Sequence, residues 1–169
     1  MTEYLVALDD EARKGETYTM ARWVDLEATE PEVAQLVRQR FEAQRHSTLA
    51  ALRKDGSPRI CGTEVQFVDG DVVLDMMPNS LKARDLRRDP RLALHSPSED
   101  ASEQSNWAGD AKLAGRAAPM PDAGHPSQPA NRFRIELSEV VLTRIGTPPD
   151  HLVIKSWHAD RGIQLHERG

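Results

Sequence analysis

The sequence predicts a mainly β domain, a small antiparallel barrel with few helices, and three observations carry that expectation. Two Asp-Gly pairs, Asp55-Gly56 and Asp69-Gly70, each sit between strand-like runs, and Asp-Gly suits the tight turns of hairpins. The run from Arg132 to Arg144 begins with strict apolar–polar alternation, the period of a strand with one wet face. Only two segments carry clear helix signals. Six or seven antiparallel strands with so few helices shed most exposed edges by closing on themselves.

Residues 1–20 are polar, with Asp9, Asp10, Glu11, Arg13, Lys14 and Glu16 crowding a stretch with few core anchors. They read as a loosely held arm, leaving residues 21–169 as one domain. Thr29 or Glu30 opens a helix: Pro31 suits the first turn, and Val33, Leu36, Val37 and Phe41 follow helical spacing. Strands follow at 47–53, 58–68 and 71–77, joined by the two Asp-Gly turns and expected to lie side by side. After a short helix, strands are expected at 91–95 and 110–117, the latter with Gly115 as a candidate bulge. The polar stretch 96–105 and the segment 119–130, which holds four prolines, read as loops. The run 132–144 is one long strand or two bent at Ser138, and 151–158 supplies another.

The short helix between two strands is the most informative segment. In Pro78-Asn79-Ser80-Leu81-Lys82-Ala83-Arg84-Asp85-Leu86-Arg87-Arg88-Asp89-Pro90, Asn79 or Ser80 caps the start and Pro90 marks the stop. Free backbone N–H groups, the positive end of the helix dipole, the Ser80 hydroxyl and the Lys82 ammonium converge where a phosphate would sit. The plainer reading is an ordinary cap and a solvated basic face. Its position at the end of a strand favours the phosphate.

Composition narrows the field. Of 169 residues 38% are hydrophobic and 29% charged, and mean hydropathy is −0.60, as in a water-soluble chain. A net charge of −5 argues against a general nucleic-acid binder. Cys61 stands alone and cannot form an internal disulfide, and no run approaches the ~20 apolar residues of a membrane helix. The expectation is therefore a cytoplasmic protein with neither nucleic acid nor membrane as partner.

The order of these features resembles the pyridoxamine 5′-phosphate oxidase-like split barrels, a superfamily of flavin- and deazaflavin-binding proteins. The likeness rests on the opening helix, His46-Ser47-Thr48-Leu49-Ala50-Ala51-Leu52, Asp55-Gly56-Ser57-Pro58-Arg59 and Asp69-Gly70. It continues through Ser80-Leu81-Lys82, Leu86-Arg87-Arg88-Asp89-Pro90 and Gly109-Asp110-Ala111-Lys112-Leu113-Ala114-Gly115-Arg116-Ala117. It implies a split barrel, and a homodimer with FMN in a cleft between subunits and hydride transfer to or from a small organic substrate. Ser80 and Lys82, assisted by Arg59, would hold the phosphate. The ring would lie along Arg59, Ile60, Cys61, Gly62, Thr63 and Glu64, with Met76 and Met77 nearby. Trp157 resembles the C-terminal tryptophan that these barrels place near the cofactor, and reads equally as a core residue; Cys61 reads as facing either flavin or core.

True pyridoxamine 5′-phosphate oxidases resemble one another in a lysine near the position of Glu64 and a substrate-binding tyrosine. Here the tyrosines are Tyr4 and Tyr18, which counts against that vitamin-oxidase activity. Two alternatives share the fold: a deazaflavin-dependent reductase using Arg53, Arg84, Arg87 or Arg88 for a longer acidic tail, and a flavin store or sensor without turnover. The six histidines show no metal-ligand spacing, and His95 and His158 are the only candidates for substrate contact or proton transfer. No catalytic residue is assigned.

Overall fold

The computed structural model describes residues 19–98, 107–120 and 131–169. Most of the expected N-terminal arm, residues 99–105 of the 96–105 loop and residues 121–130 of the proline-rich segment lie outside them. Two helices come first, α1 (Trp23–Thr29) and α2 (Pro31–Glu42), then strands β1 (Ser47–Leu52), β2 (Pro58–Thr63), β3 (Gln66–Val68) and β4 (Asp71–Asp75). Helix α3 (Leu81–Arg88) precedes β5 (Arg91–His95), β6 (Asp110–Met120), β7 (Arg132–Ile145), β8 (Leu152–His158) and β9 (Gly162–Arg168).

All strand pairs are antiparallel, in the order β2-β1-β5-β6-β7-β4-β3, with β8 on β7 and β9 on β8. The expected strand 58–68 is two strands broken at Glu64-Val65, and three successive neighbours are not what forms. β2 pairs β1 and β3 pairs β4, so consecutive strands stand at opposite ends of the hydrogen-bonded order. Two residues joining those ends force the sheet to curl round on itself. The Asp69-Gly70 hairpin forms as expected, with φ of 52° and 75°, the double positive-φ turn that matches strand twist.

β7 is where the barrel splits. Its first half, Arg132 to Ile135, pairs β4; its second, Glu139 to Ile145, pairs β8, while β6 runs along the other edge. Between the halves the register slips, with Gly115 opposite Leu137 and Ala114 opposite Glu139. Ser138 is therefore the extra residue of a bulge, and the run 132–144 is one long strand irregular at Ser138 rather than two. One consequence is that Leu137 and Val140, three apart, both reach the core.

That core joins Leu49, Leu74, Leu94, Leu113, Phe133 and Leu142 from the strands to Trp23, Leu26, Val37 and Phe41 from the helices. Helix α1 was not expected, because only Trp23 and Leu26 mark its buried side. Tertiary contacts make it: Arg22 donates from Nε and Nη2 to Asp71 at 2.7 Å each, and Trp23 packs edge-on to Phe67. The strand count is nine rather than six or seven, since β9 and the split of 58–68 add to it. Among the described residues no helix is long and apolar enough to cross a membrane.

Candidate functional site

Helix α3 packs on β1 and β6 and is tied to β2 by side chains. Ser80 has extended backbone and its Oγ accepts from Ala83 N at 3.3 Å, so it is the cap. Arg84 N bonds back to the Ser80 carbonyl, whereas the N–H groups of Leu81 and Lys82 meet no acceptor among the described residues. Lys82 Nζ donates to the Gly62 carbonyl at 2.7 Å. Arg59 Nε donates to Asp85 Oδ2 at 2.5 Å, and Arg88 Nη2 reaches Asp85 Oδ1 at 2.9 Å. Two links thus strap α3 to β2, and they bring Arg59, Gly62, Ser80 and Lys82 together.

The links leave capacity unused. An ammonium has three donors and a guanidinium five, so Lys82 and Arg59 are each held by one or two bonds with others to spare. Around the Asp85 carboxylate stand Arg59 and Arg88, with Lys82 one turn away, so the junction stays net positive. Asp85, 5% exposed, is the residue that sequence reasoning missed; its i,i+3 spacing to Arg88 was the available signal. Burial by itself would push its carboxyl up, but the hydrogen bonds and charges of Arg59 and Arg88 outweigh that and hold it below the ordinary range.

At the end of α3, Asp89 accepts from Arg91 Nε and Nη2 at 3.0 and 2.6 Å. Chiefly through that pair its carboxyl falls from 3.8 to about 2. Both carboxyls titrate lower folded than unfolded, so their stabilisation is complete above the usual carboxylate range and is lost as pH falls through the folded values. The melting temperature should therefore drop between about pH 4 and about pH 2. Asp89→Asn should remove part of that slope; an identical slope in the variant would refute the assignment.

The remaining expected residues divide between two faces. Along β2, Ile60 and Gly62 point outward, Ile60 being 75% exposed, and Arg59, Cys61 and Thr63 point inward. Cys61 packs against the core, and burial pushes its thiol up, as for an inert structural cysteine. Nothing lies within 4 Å of where a Gly62 side chain would start, so this backbone is open to a flat ligand. Met76 is a core residue, while Met77 is 79% exposed beside the α3 start.

Trp157 is a core residue, opposite Val140 and Ile163. The hydrogen-bonded order separates its strand from β2 by β1, β5, β6 and β7. His95 pairs with Thr48, which pairs with Gly62, so it stands two strands from β2, its Nδ1 2.6 Å from the Ser96 carbonyl and its Nε2 3.6 Å from Asp110. His158 Nε2 lies 3.5 Å from Glu139, with the Arg161 guanidinium against its ring. Among the described residues no group of three or more His, Cys, Asp or Glu could hold a metal.

No family model matches the chain, and no curated protein matches it. Solved structures do. PhzG from Burkholderia lata, in complex with tetrahydrophenazine-1-carboxylic acid, superposes with a TM-score of 0.57 at 12% identity, over 84% of this chain and 90% of its own. A pyridoxamine 5′-phosphate oxidase-related, FMN binding protein from Nostoc punctiforme gives 0.56 at 11%, over 83% and 96%. A heme binding protein from Mycobacterium smegmatis gives 0.51 at 14%, over 81% and 88%. At such identities the likeness is one of architecture: this chain has the split-barrel fold of the pyridoxamine 5′-phosphate oxidase-like superfamily.

Proposed function

We propose that this protein is a flavin-nucleotide oxidoreductase that binds FMN at the β2–α3 junction as a homodimer and acts on a small organic substrate. The observation that carries the reading is the donor set: two free first-turn N–H groups, the Ser80 hydroxyl, Lys82 and Arg59, beside an unobstructed backbone at Gly62. That set fits a phosphate ester joined to a flat ring. Bound flavin supplies the hydride chemistry. The chain's own part is to fix the phosphate with Lys82 and Arg59, and to offer the open face of β2 to the ring. Asp85 keeps Arg59 aimed, and the Gly62 carbonyl keeps Lys82 aimed, before any ligand arrives.

Three exposed apolar side chains, Ile60, Met77 and Leu81 at 75%, 79% and 58%, stand on the segments that make this junction. A soluble chain gains by covering such side chains, which supports a second copy closing over the site. The deazaflavin reading has an observation of its own. Arg88 donates to the Leu52 carbonyl at 2.6 Å and Arg53 to the Pro58 carbonyl at 2.7 Å, so positive charge continues from α3 along the β1–β2 turn, where a longer acidic tail would run.

Titration with FMN and with a deazaflavin, followed by absorbance and by melting temperature, tests the reading. Lys82→Ala should weaken FMN by ~1.5–3 kcal/mol, or about 10- to 100-fold, the scale of a charge-assisted hydrogen bond. Unchanged affinity in the variant, or no binding of either cofactor by the unaltered chain, would refute it.

A further inference from the structure

A concavity opens where β7 leads into β8, with a volume of about 220 Å³ and walls from Leu142, Arg144, Ile145, Thr147, Val153 and Lys155. The strand register explains its chemistry. Leu142 pairs with Lys155 and Arg144 with Val153, so all four side chains share one face in a chequerboard. The two cations occupy one diagonal, neighbours roughly 7–8 Å apart, and the two aliphatic groups the other.

Among the described residues neither Arg144 nor Lys155 has an ion-pair or hydrogen-bond partner. Other exposed arginines, Arg38, Arg45 and Arg91, are ion-paired; Arg144 and Lys155 are set apart by lining one concavity together. Acids do lie nearby, but none is paired with either cation. Asp150 is bonded to His151 Nδ1 at 2.7 Å. Glu167, opposite Val153 on β9, forms no ion pair with either cation. The loop wall is firm: Gly146 N donates to the His151 carbonyl at 2.9 Å, and the His151 ring fills the space where a side chain on Gly146 would begin.

We propose that this concavity is a binding site for a small monocarboxylate with a short apolar body. The carboxylate lies between Arg144 and Lys155, and the body rests on Leu142, Ile145 and Val153. The volume falls below the ~300–1,000 Å³ of drug-sized pockets, which limits the body to a short chain or single ring. Phosphate fits less well, because the aliphatic walls from Leu142, Ile145 and Val153 reward hydrocarbon, which phosphate lacks.

Amide NMR of the full chain, titrated with benzoate, acetate and inorganic phosphate, tests the site. Benzoate should shift the amides of residues 142–147 and 153–155 saturably, and bind more tightly than acetate or phosphate. Arg144→Ala and Lys155→Ala should each weaken benzoate about tenfold, and the double variant should abolish the shifts. Lys112→Ala, a basic change on β6 outside the concavity, should leave them intact. If either alanine variant loses its fold, Arg144→Gln and Lys155→Gln carry the same test. Absence of saturable shifts there, equal binding of all three anions, or undiminished binding by the variants would overturn the proposal.

Discussion

Asp85→Ala should lower the unfolding free energy by about 3–5 kcal/mol, the cost of removing one partner from a buried ion pair. The carboxylate is 7% exposed and its partner Arg59 20%, so the guanidinium left behind would be largely out of water with its counter-charge gone. Arg88 loses the same partner, though its greater exposure, 37%, lets solvent compensate. Urea unfolding at neutral pH measures the loss. The double change Asp85→Leu with Arg59→Met should recover much of it, because a well-packed apolar pair avoids the desolvation that two charges incur. A loss below about 1 kcal/mol in the single variant would place the pair in the surface class.

Gly115→Ala should cost a further several kcal/mol, about 3 or more, from steric overlap and backbone displacement. A methyl group at this position would collide with the Glu136 carbonyl oxygen and lie 2.9 Å from the Glu136 carbonyl carbon and 3.1 Å from Leu137 Cα. All three contacts are backbone, which no rotamer change relieves. The clash sits at the bulge that lets Leu137 and Val140 both face inward, so any relaxation disturbs the two halves of β7 and their pairing to β4 and β8. Gly62→Ala is the control: with open space beyond its backbone, the fold should tolerate it to within about 0.5 kcal/mol. Thermal melts of the two variants side by side separate the cases, and equal melting temperatures would contradict the geometry.

Much of this was readable one segment at a time. The Asp69-Gly70 turn, Pro31 at a helix start, Ser80 as a cap and the irregularity at Ser138 are local, and each depends on the backbone preference of a few adjacent residues. Helix α1 and strand β9 were not legible, because Trp23 and Leu26 are too sparse a pattern and β9 is exposed along most of its length. The break at Glu64-Val65 was hidden for a related reason: alternation looks the same in one strand or two.

Sequence alone showed where the chain would turn and alternate and that a helix start at Asn79 or Ser80 carried Lys82, while Arg59 joined that candidate site only through the family resemblance. Only the folded chain decided that β2 and β3 part to opposite ends of the sheet, that Asp85 is the buried partner of Arg59, that Trp157 is core, and that Arg144 and Lys155 share a concavity. Those outcomes depend on pairing between residues far apart in the chain. Such pairing is chosen by the burial and charge balance of the whole barrel, which a local pattern does not encode.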